Sequence, residues 1–274
     1  MLSPTTIIIA MQKKTALLAS ALMLCSTPLF AAMPLQTDDT GTQGKGHSQI
    51  EIGFESSSDK ETEAGVSCKT TGGAVSTTIS YGLTDTIDLV AGVPWEWYTE
   101  KENGVKMADE NGIGDLALQI KWRFYEMPDS GFSLALKPGL TLPTGDEHKG
   151  LGTGKVSGDV TLIATREAKL ATFHFNLGYS HNEYKLDEAS ESSRKNIWHA
   201  SLAAELNVTD KLRAVGDLGI ETNSDKESDT DPAYILGGLI YAVNENTDLD
   251  IGIKGGLNDA ETDTTLLAGM TMRF

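Results

Sequence analysis

The chain has 274 residues, with 22 Lys and Arg against 39 Asp and Glu, and a formal net charge of −17. That balance excludes nucleic acid as a partner, because phosphate contacts need a basic surface. After residue 32 there is one cysteine, Cys68, which excludes an intramolecular disulfide, and no run there approaches the ~20 apolar residues of a membrane helix.

Residues 1–32 read as a secretory signal peptide. Lys13 and Lys14 form a short basic region, Thr15 to Leu24 an apolar run, and Leu29-Phe30-Ala31-Ala32 offers small residues for cleavage. Translation is expected to start at Met11, which puts the basic region where such a signal carries it. Leu24 is too large for the lipidation box that Cys25 would otherwise suggest. Cleavage near Ala32 or Met33 removes Lys13 and Lys14 and leaves 20 basic against 39 acidic side chains, a net charge of −19.

From Gln49 onward the pattern alternates with the two-residue period of a strand. Ile50, Ile52 and Phe54 open it, and a Ser-, Glu-, Thr- and Gly-rich loop is expected over about 56–73. Val75, Thr77, Ile79 and Tyr81 follow, then Ile87, Leu89, Ala91, Val93, Trp95 and Trp97. Leu116 to Phe124 alternates with Asp115 to Arg123. Phe132 to Leu142 follows, and a loop is expected from Pro143 to Val156. Val160 to Ala164, Phe173 to Tyr179, Trp198 to Leu206, Leu212 to Ile220, Ala233 to Tyr241, Leu249 to Ile253 and Thr264 to Phe274 complete the series. Three turns align without gaps, Tyr81 to Leu89, Leu206 to Ala214 and Tyr241 to Leu249, and suggest a repeated hairpin.

This pattern gives twelve strands joined alternately by five short turns and six longer loops. An even count, with each strand satisfied by closure, is what an antiparallel up-and-down transmembrane β-barrel requires. The last strand ends on Phe274 with nothing after it, as the closing strands of bacterial outer-membrane barrels do. Aromatics gather at two levels, as interfacial girdles would: Trp122, Phe124 and Phe274 near the short turns, Trp95, Trp97, Trp198 and Tyr234 near the long loops. A secreted β-sandwich also alternates, but it would gain nothing from girdles or a terminal Phe. The expected layout is a signal peptide over 1–32, a periplasmic N-terminal segment over 33–47 and an outer-membrane barrel over 48–274. The sequence leaves open whether residues 33–47 plug the lumen.

The motifs that might carry chemistry are weak. Lys149 to Val156 is glycine-rich, but a strand rather than a helix follows it, so a phosphate cradle would lack its donors. His174, His199, Ser201 and Glu205 share the inward face of two strands without a nucleophile motif. Asp225, Glu227, Asp229 and Asp231 crowd one outer loop without the spacing of a calcium loop. No enzyme activity, catalytic residue, cofactor or metal site is expected. The inward positions are charged instead. The acids include Glu51, Glu55, Asp88, Glu96, Asp115, Asp159, Glu205, Asp217, Asp248 and Asp250, and the bases are Lys121, Arg123, Lys137, Arg213, Lys254 and Arg273. Lys121, Arg123 and Lys137 could form a basic stripe facing an acidic wall, or these charges could pair across the barrel and plug it.

Leu142-Pro143-Thr144-Gly145-Asp146, the Gly152-x-Gly154 after it, and Tyr81-Gly82-Leu83-Thr84-Asp85 with Val93-Pro94 resemble the transporter-like outer-membrane proteins named for the MetA pathway of phenol degradation. The resemblance covers most of the chain after the signal. It implies a Gram-negative outer-membrane channel or transporter, in some members linked to aromatic or hydrophobic compounds, and it carries over no catalytic residues. The expected function is passive passage of small solutes through a charged lumen. The alternatives are a non-transporting surface barrel with ligand-binding acidic loops and, further off, a lipid-modifying enzyme. The expected partners are outer-membrane lipid, lipopolysaccharide and, through Phe274, the barrel-assembly machinery.

Overall fold

In the computed structural model the alternating segments form strands from Ser48 to Arg273. The structure describes residues 33–63 and 65–274, so the expected signal peptide, with Met11 and Cys25, lies outside the described residues. The strands are β1 (Ser48–Glu63), β2 (Val66–Gly82), β3 (Ile87–Glu102), β4 (Val105–Ile113), β5 (Leu116–Met127), β6 (Phe132–Leu142) and β7 (Ser157–Glu167). They continue with β8 (Ala171–His181), β9 (Asn196–Asn207), β10 (Leu212–Glu221), β11 (Ala233–Asn244), β12 (Thr247–Gly256) and β13 (Thr264–Arg273). A short helix, α1 (Asp187–Ser192), lies between β8 and β9. Neighbours are antiparallel, and β1 pairs with β13 from Gln49↔Arg273 to Ser58↔Thr264, which closes the sheet. β3 pairs with β4 through residues 95–102 and with β5 through residues 87–92. β4 and β5 thus share one position in the wall, and the barrel has the twelve strand positions read from the sequence.

The expected loop over 56–73 is strand instead. β1 and β2 pair without interruption up to Glu63↔Val66. β3 and β4 likewise form a hairpin around Asn103 and Gly104, both at positive φ (48° and 82°), as a two-residue hairpin turn requires. The alternation fades there for a physical reason. Beyond the lipid both faces of a strand meet water, so no side-chain pattern is demanded, while the backbone ladder still forms.

Between β4 and β5 the strand breaks at Gly114 and Asp115. Thr144 clasps the break: its hydroxyl donates to the Gly114 carbonyl (2.8 Å) and accepts the Leu116 N–H (2.9 Å). Asp115 accepts the N–H groups of Gly145 and Thr153, both at 2.9 Å. The amides of the glycine-rich loop are therefore turned partly onto a carboxylate, and β7 rather than a helix follows. Of the three aligned turns, two share one pattern, Leu83 and Thr84 N–H to Ile87 O, and Val208 and Thr209 N–H to Leu212 O. The third is a tighter hairpin with a register shift between Ala242 and Asn244.

Outward positions carry exposed Leu, Ile, Val and Phe, such as Leu202, Ile251 and Leu266, the apolar band of a membrane barrel. Trp95, Trp122, Phe124, Trp198 and Phe274 are exposed on this outer wall, and Trp97 lies over Gly73 with its ring 6.0 Å from that of Phe54. Tyr234 does not join them. Its side chain points inward and donates to Asp217 (3.2 Å), because β11 turns Tyr234, Leu236 and Ile240 to the lumen, a choice of face that its uniformly apolar sequence did not reveal.

Candidate functional site

Residues 33–43 lie inside the barrel, one of the two placements the sequence left open for the segment before β1. The chain leaves β1 at the short-turn end, where Gly46 N–H donates to Gly82 O (2.9 Å), and then climbs inside the barrel. Gln43 N–H donates to Asp88 (3.0 Å). Thr40 N–H donates to Thr165 Oγ1 (3.1 Å), and the Thr40 and Ser133 hydroxyls lie 2.5 Å apart. Leu35 enters an apolar socket made by Ala203, Val215, Leu236, Ile240 and Leu267. Pro34 packs over Gly238 and Gly252, where a Cβ would stand 2.8 and 3.0 Å from its ring. Small inner-wall residues give this segment its track.

Two carboxylates hold this plug. Asp217 of β10 accepts the N–H of Gln36 (2.7 Å), the N–H of Thr37 (2.8 Å) and the Thr37 hydroxyl (2.7 Å). Asp38, carried by the plug itself, receives Lys121 Nζ on one oxygen (2.9 Å) and Lys137 Nζ on the other (2.5 Å). Asp38 and Lys137 are almost fully buried, with side chains 1% exposed. Asn176, also buried, accepts the Asp38 N–H (2.7 Å) and donates to the Asp38 carbonyl (2.9 Å) when its amide is oriented to suit both. Removing two ammonium groups and a carboxylate from water is costly, and only close pairing of this kind offsets it.

The other inward charges divide by height. Near the short turns they pair into a ladder: His174 Nε2 lies 3.3 Å from Glu205, Arg213 bridges Glu205 (2.6 Å) and Asp248 (3.1 Å), and Arg273 also reaches Asp248 (2.9 Å). Arg123 sits at the rim, 3.4 Å from Glu126 and donating to Asp85 O (3.2 Å). A cavity of about 360 Å³ opens between this ladder and the plug, lined among others by Glu51, Asp88, Lys121, Arg213 and Arg273. Toward the long loops, Lys254 pairs with Glu261 (2.9 Å) and Asp159 accepts from Gln119 (3.4 Å). A Cβ on Gly114 would meet the Glu96 carboxylate at 2.9 Å. Both carboxylate oxygens of Asp250 are buried without a hydrogen-bond partner among the described residues. His199 points inward over Gly178, and among the described residues neither its Nε2 nor the neighbouring Ser201 hydroxyl has a hydrogen-bond partner. Lys121 and Lys137, which the sequence allowed either to form a stripe facing an acidic wall or to pair and plug the barrel, thus both pair with one plug carboxylate.

The outer loops are internally ordered. The hydrogen bond from Lys185 (2.5 Å) holds the Glu147 carboxyl below its ordinary pKa. That from Lys195 (2.8 Å) does the same for Glu183. In the acidic loop, the Arg194 guanidinium donates to the carbonyls of Asn223 (2.8 Å), Asp225 and Ser228 (3.1 Å). A cation thus organises this loop, and it is a side chain. Among the described residues no group of three His, Cys, Asp or Glu side chains is placed to hold a metal ion.

The plug residues are the part of the site that sequence reasoning missed. Residues 33–43 have no periodicity, since each is held by a different strand. The one available signal was chemical: two adjacent acids, Asp38 and Asp39, within reach of an inward pair of lysines.

Solved structures share this architecture. An outer membrane channel from Pseudomonas putida F1 superposes with a TM-score of 0.65 at 14% identity, covering 86% of this chain and 98% of that one. The KdgM porin (TM-score 0.55, 9% identity, 82% and 99% covered) and the NanC porin (0.53, 10%, 82% and 98%) are also similar. At such identities the likeness shows the fold. No curated protein matches the sequence. A family model does, over residues 36–274, from within the plug to the terminal Phe274, and the chain belongs to that family, described as the putative MetA-pathway of phenol degradation.

Proposed function

We propose that this barrel passes small solutes across the outer membrane of a Gram-negative bacterium, and that residues 33–43 form the gate. The observation that carries the reading is the Asp38 carboxylate joined to both Lys121 and Lys137 inside the lumen. A purely structural barrel has no need of a polar segment held by a few exchangeable ion pairs. Passage through the charged lumen would follow displacement of the plug. Aromatic or hydrophobic solutes fit one feature: withdrawal of Leu35 would leave an apolar socket of Val215, Leu236, Ile240 and Leu267 among the charges, and an apolar group entering it would recover the burial that Leu35 gives up. Lipopolysaccharide around the outer loops and the assembly machinery at Phe274 are the partners this reading implies, and a role without catalysis goes with it.

The test is planar-bilayer conductance and liposome swelling with the processed protein and with a variant lacking residues 33–43. Low conductance that rises on deletion, with faster uptake of small aromatic acids or alcohols, supports gated passage. A deletion variant that is folded, heat-modifiable and still non-conducting would favour a non-transporting barrel.

A further inference from the structure

The cavity between the plug and the ladder carries an unbalanced charge. Among the described residues, six carboxylates and four cationic side chains line it. Arg213 and Arg273 balance Glu205 and Asp248, with contacts of 2.6, 3.1 and 2.9 Å. The rest of the lining sets Asp38, Asp39, Glu51 and Asp88 against Lys121 and Lys137, and both lysines sit on Asp38. Lys121 approaches Asp39 only to 3.8 Å. Glu51, 6% exposed, accepts from the Gln49 side chain. Asp88, 1% exposed, accepts the Gln43 N–H. Neither has a cation at ion-pair distance among the described residues. Two surplus negative charges thus border one cavity, and a buried charge without a counter-ion is costly.

Asp39 belongs to the plug, and Glu51 of β1 and Asp88 of β3 both lie within its electrostatic reach. The surplus is therefore gathered where plug and wall face each other. Among the described residues no three His, Cys, Asp or Glu side chains are placed to hold a metal ion, and a cavity of about 360 Å³ has room for many times one water. Val90 and Ile240, both buried, add apolar surface to the lining, which a hydrocarbon group would cover favourably. Arg213 and Arg273, with side chains 32% and 39% exposed, stand on the side of the short turns, and a guest enters from there with the plug seated.

We propose that this cavity binds a small organic ammonium ion, its head group donating to Asp39 of the plug and Glu51 of the wall and its hydrocarbon part lying on the apolar lining. An ammonium group has three N–H donors and no acceptor, which suits a site made of carboxylates. An anionic guest of the same shape meets the surplus negative charge and is repelled. The site needs no withdrawal of the plug, so it stands whether or not the barrel conducts.

The test is isothermal titration of the purified, folded, processed protein at pH 7 with benzylamine, benzyl alcohol and benzoate, which share a ring and differ in the charge of the head. The protonated amine should bind about tenfold or more tightly than the alcohol, as a charge-assisted hydrogen bond implies, and benzoate no more tightly than the alcohol. Glu51→Gln should remove that preference while the gel shift on heating persists. Asp39→Asn should do the same, and its side chain is 31% exposed, so the barrel folds without it. Equal affinities for the three guests, a preference for benzoate, or an unchanged amine affinity in either folded variant overturns the proposal.

Discussion

Asp38→Asn keeps the shape of the plug and removes the charge that Lys121 and Lys137 share. In the seated state Lys137, with its side chain 1% exposed, would lose its counter-ion, and Lys121 would keep only the longer contact to Asp39 at 3.8 Å. Deleting one partner of a buried pair costs ~3–5 kcal/mol. Here the barrel has an escape that a closed core lacks, since the plug can withdraw and let water reach both lysines. The cost therefore falls on the closed state alone. Taking the low end, because Lys121 is partly exposed, the ratio of open to closed barrels should rise about 10²-fold, at ~1.4 kcal/mol per tenfold. Single-channel recordings read that ratio directly as open probability. Lys137→Met added to Asp38→Asn removes the stranded buried charge and should return much of the closure, a coupling that a double-mutant cycle isolates. A folded Asp38→Asn barrel with the open probability of the wild type would refute the idea that this triad holds the gate.

Asp217→Ala removes the acceptor for Gln36, Thr37 and Tyr234 and should weaken plug seating by ~1–3 kcal/mol, read as faster thiol labelling of Thr37→Cys, with Asp217→Asn intermediate. Gly252→Val should also unseat the plug, since even a Cβ there would stand 3.0 Å from Pro34; conductance should rise while the heat-modifiable shift in gel mobility persists. The outer loops should be pH-sensitive in one direction. Glu147 and Glu183 have folded pKa values below the ordinary value, so the stability they contribute is full above the unfolded value of ~4.3 and is lost as pH falls through the lower folded values. Limited proteolysis should find residues 143–156 and 182–195 protected from neutral pH to about pH 5 and loosening below about pH 4, and loosening on the alkaline side of pH 5 would contradict the assignment.

Strand positions, closure and the inward or outward sense of most residues were legible because lipid on one side and a polar interior on the other impose a two-residue period on every membrane-crossing segment. Legibility failed wherever that contrast failed. β11 presents apolar residues to both sides, since Leu236 and Ile240 meet Leu35 rather than water, and so Tyr234 was misassigned. The β1–β2 extension has water on both faces and carries no period, and the turn chemistry of Asn103-Gly104 in the neighbouring β3–β4 hairpin went unread. The plug was hidden for a deeper reason. Its contacts are to β3, β5, β6, β7, β8 and β10, from 45 to 180 residues away along the chain, and nothing local in residues 33–43 encodes them.

The long strands β1, β2 and β3 have 16, 17 and 16 residues, against 10 for β10, β12 and β13. At ~3.3 Å per residue and a tilt near ~40°, the difference raises one side of the rim by roughly 15 Å. The outward residues of this crest, among them Ser56, Ser58, Lys60 and Lys69, are exposed and polar. A lopsided palisade of this kind rises beyond the apolar band, where both of its faces meet water rather than lipid. Freed from the lipid's demand for an apolar face, the crest is held by its backbone ladder alone, so exchanges among its polar outward side chains should leave the wall below it intact.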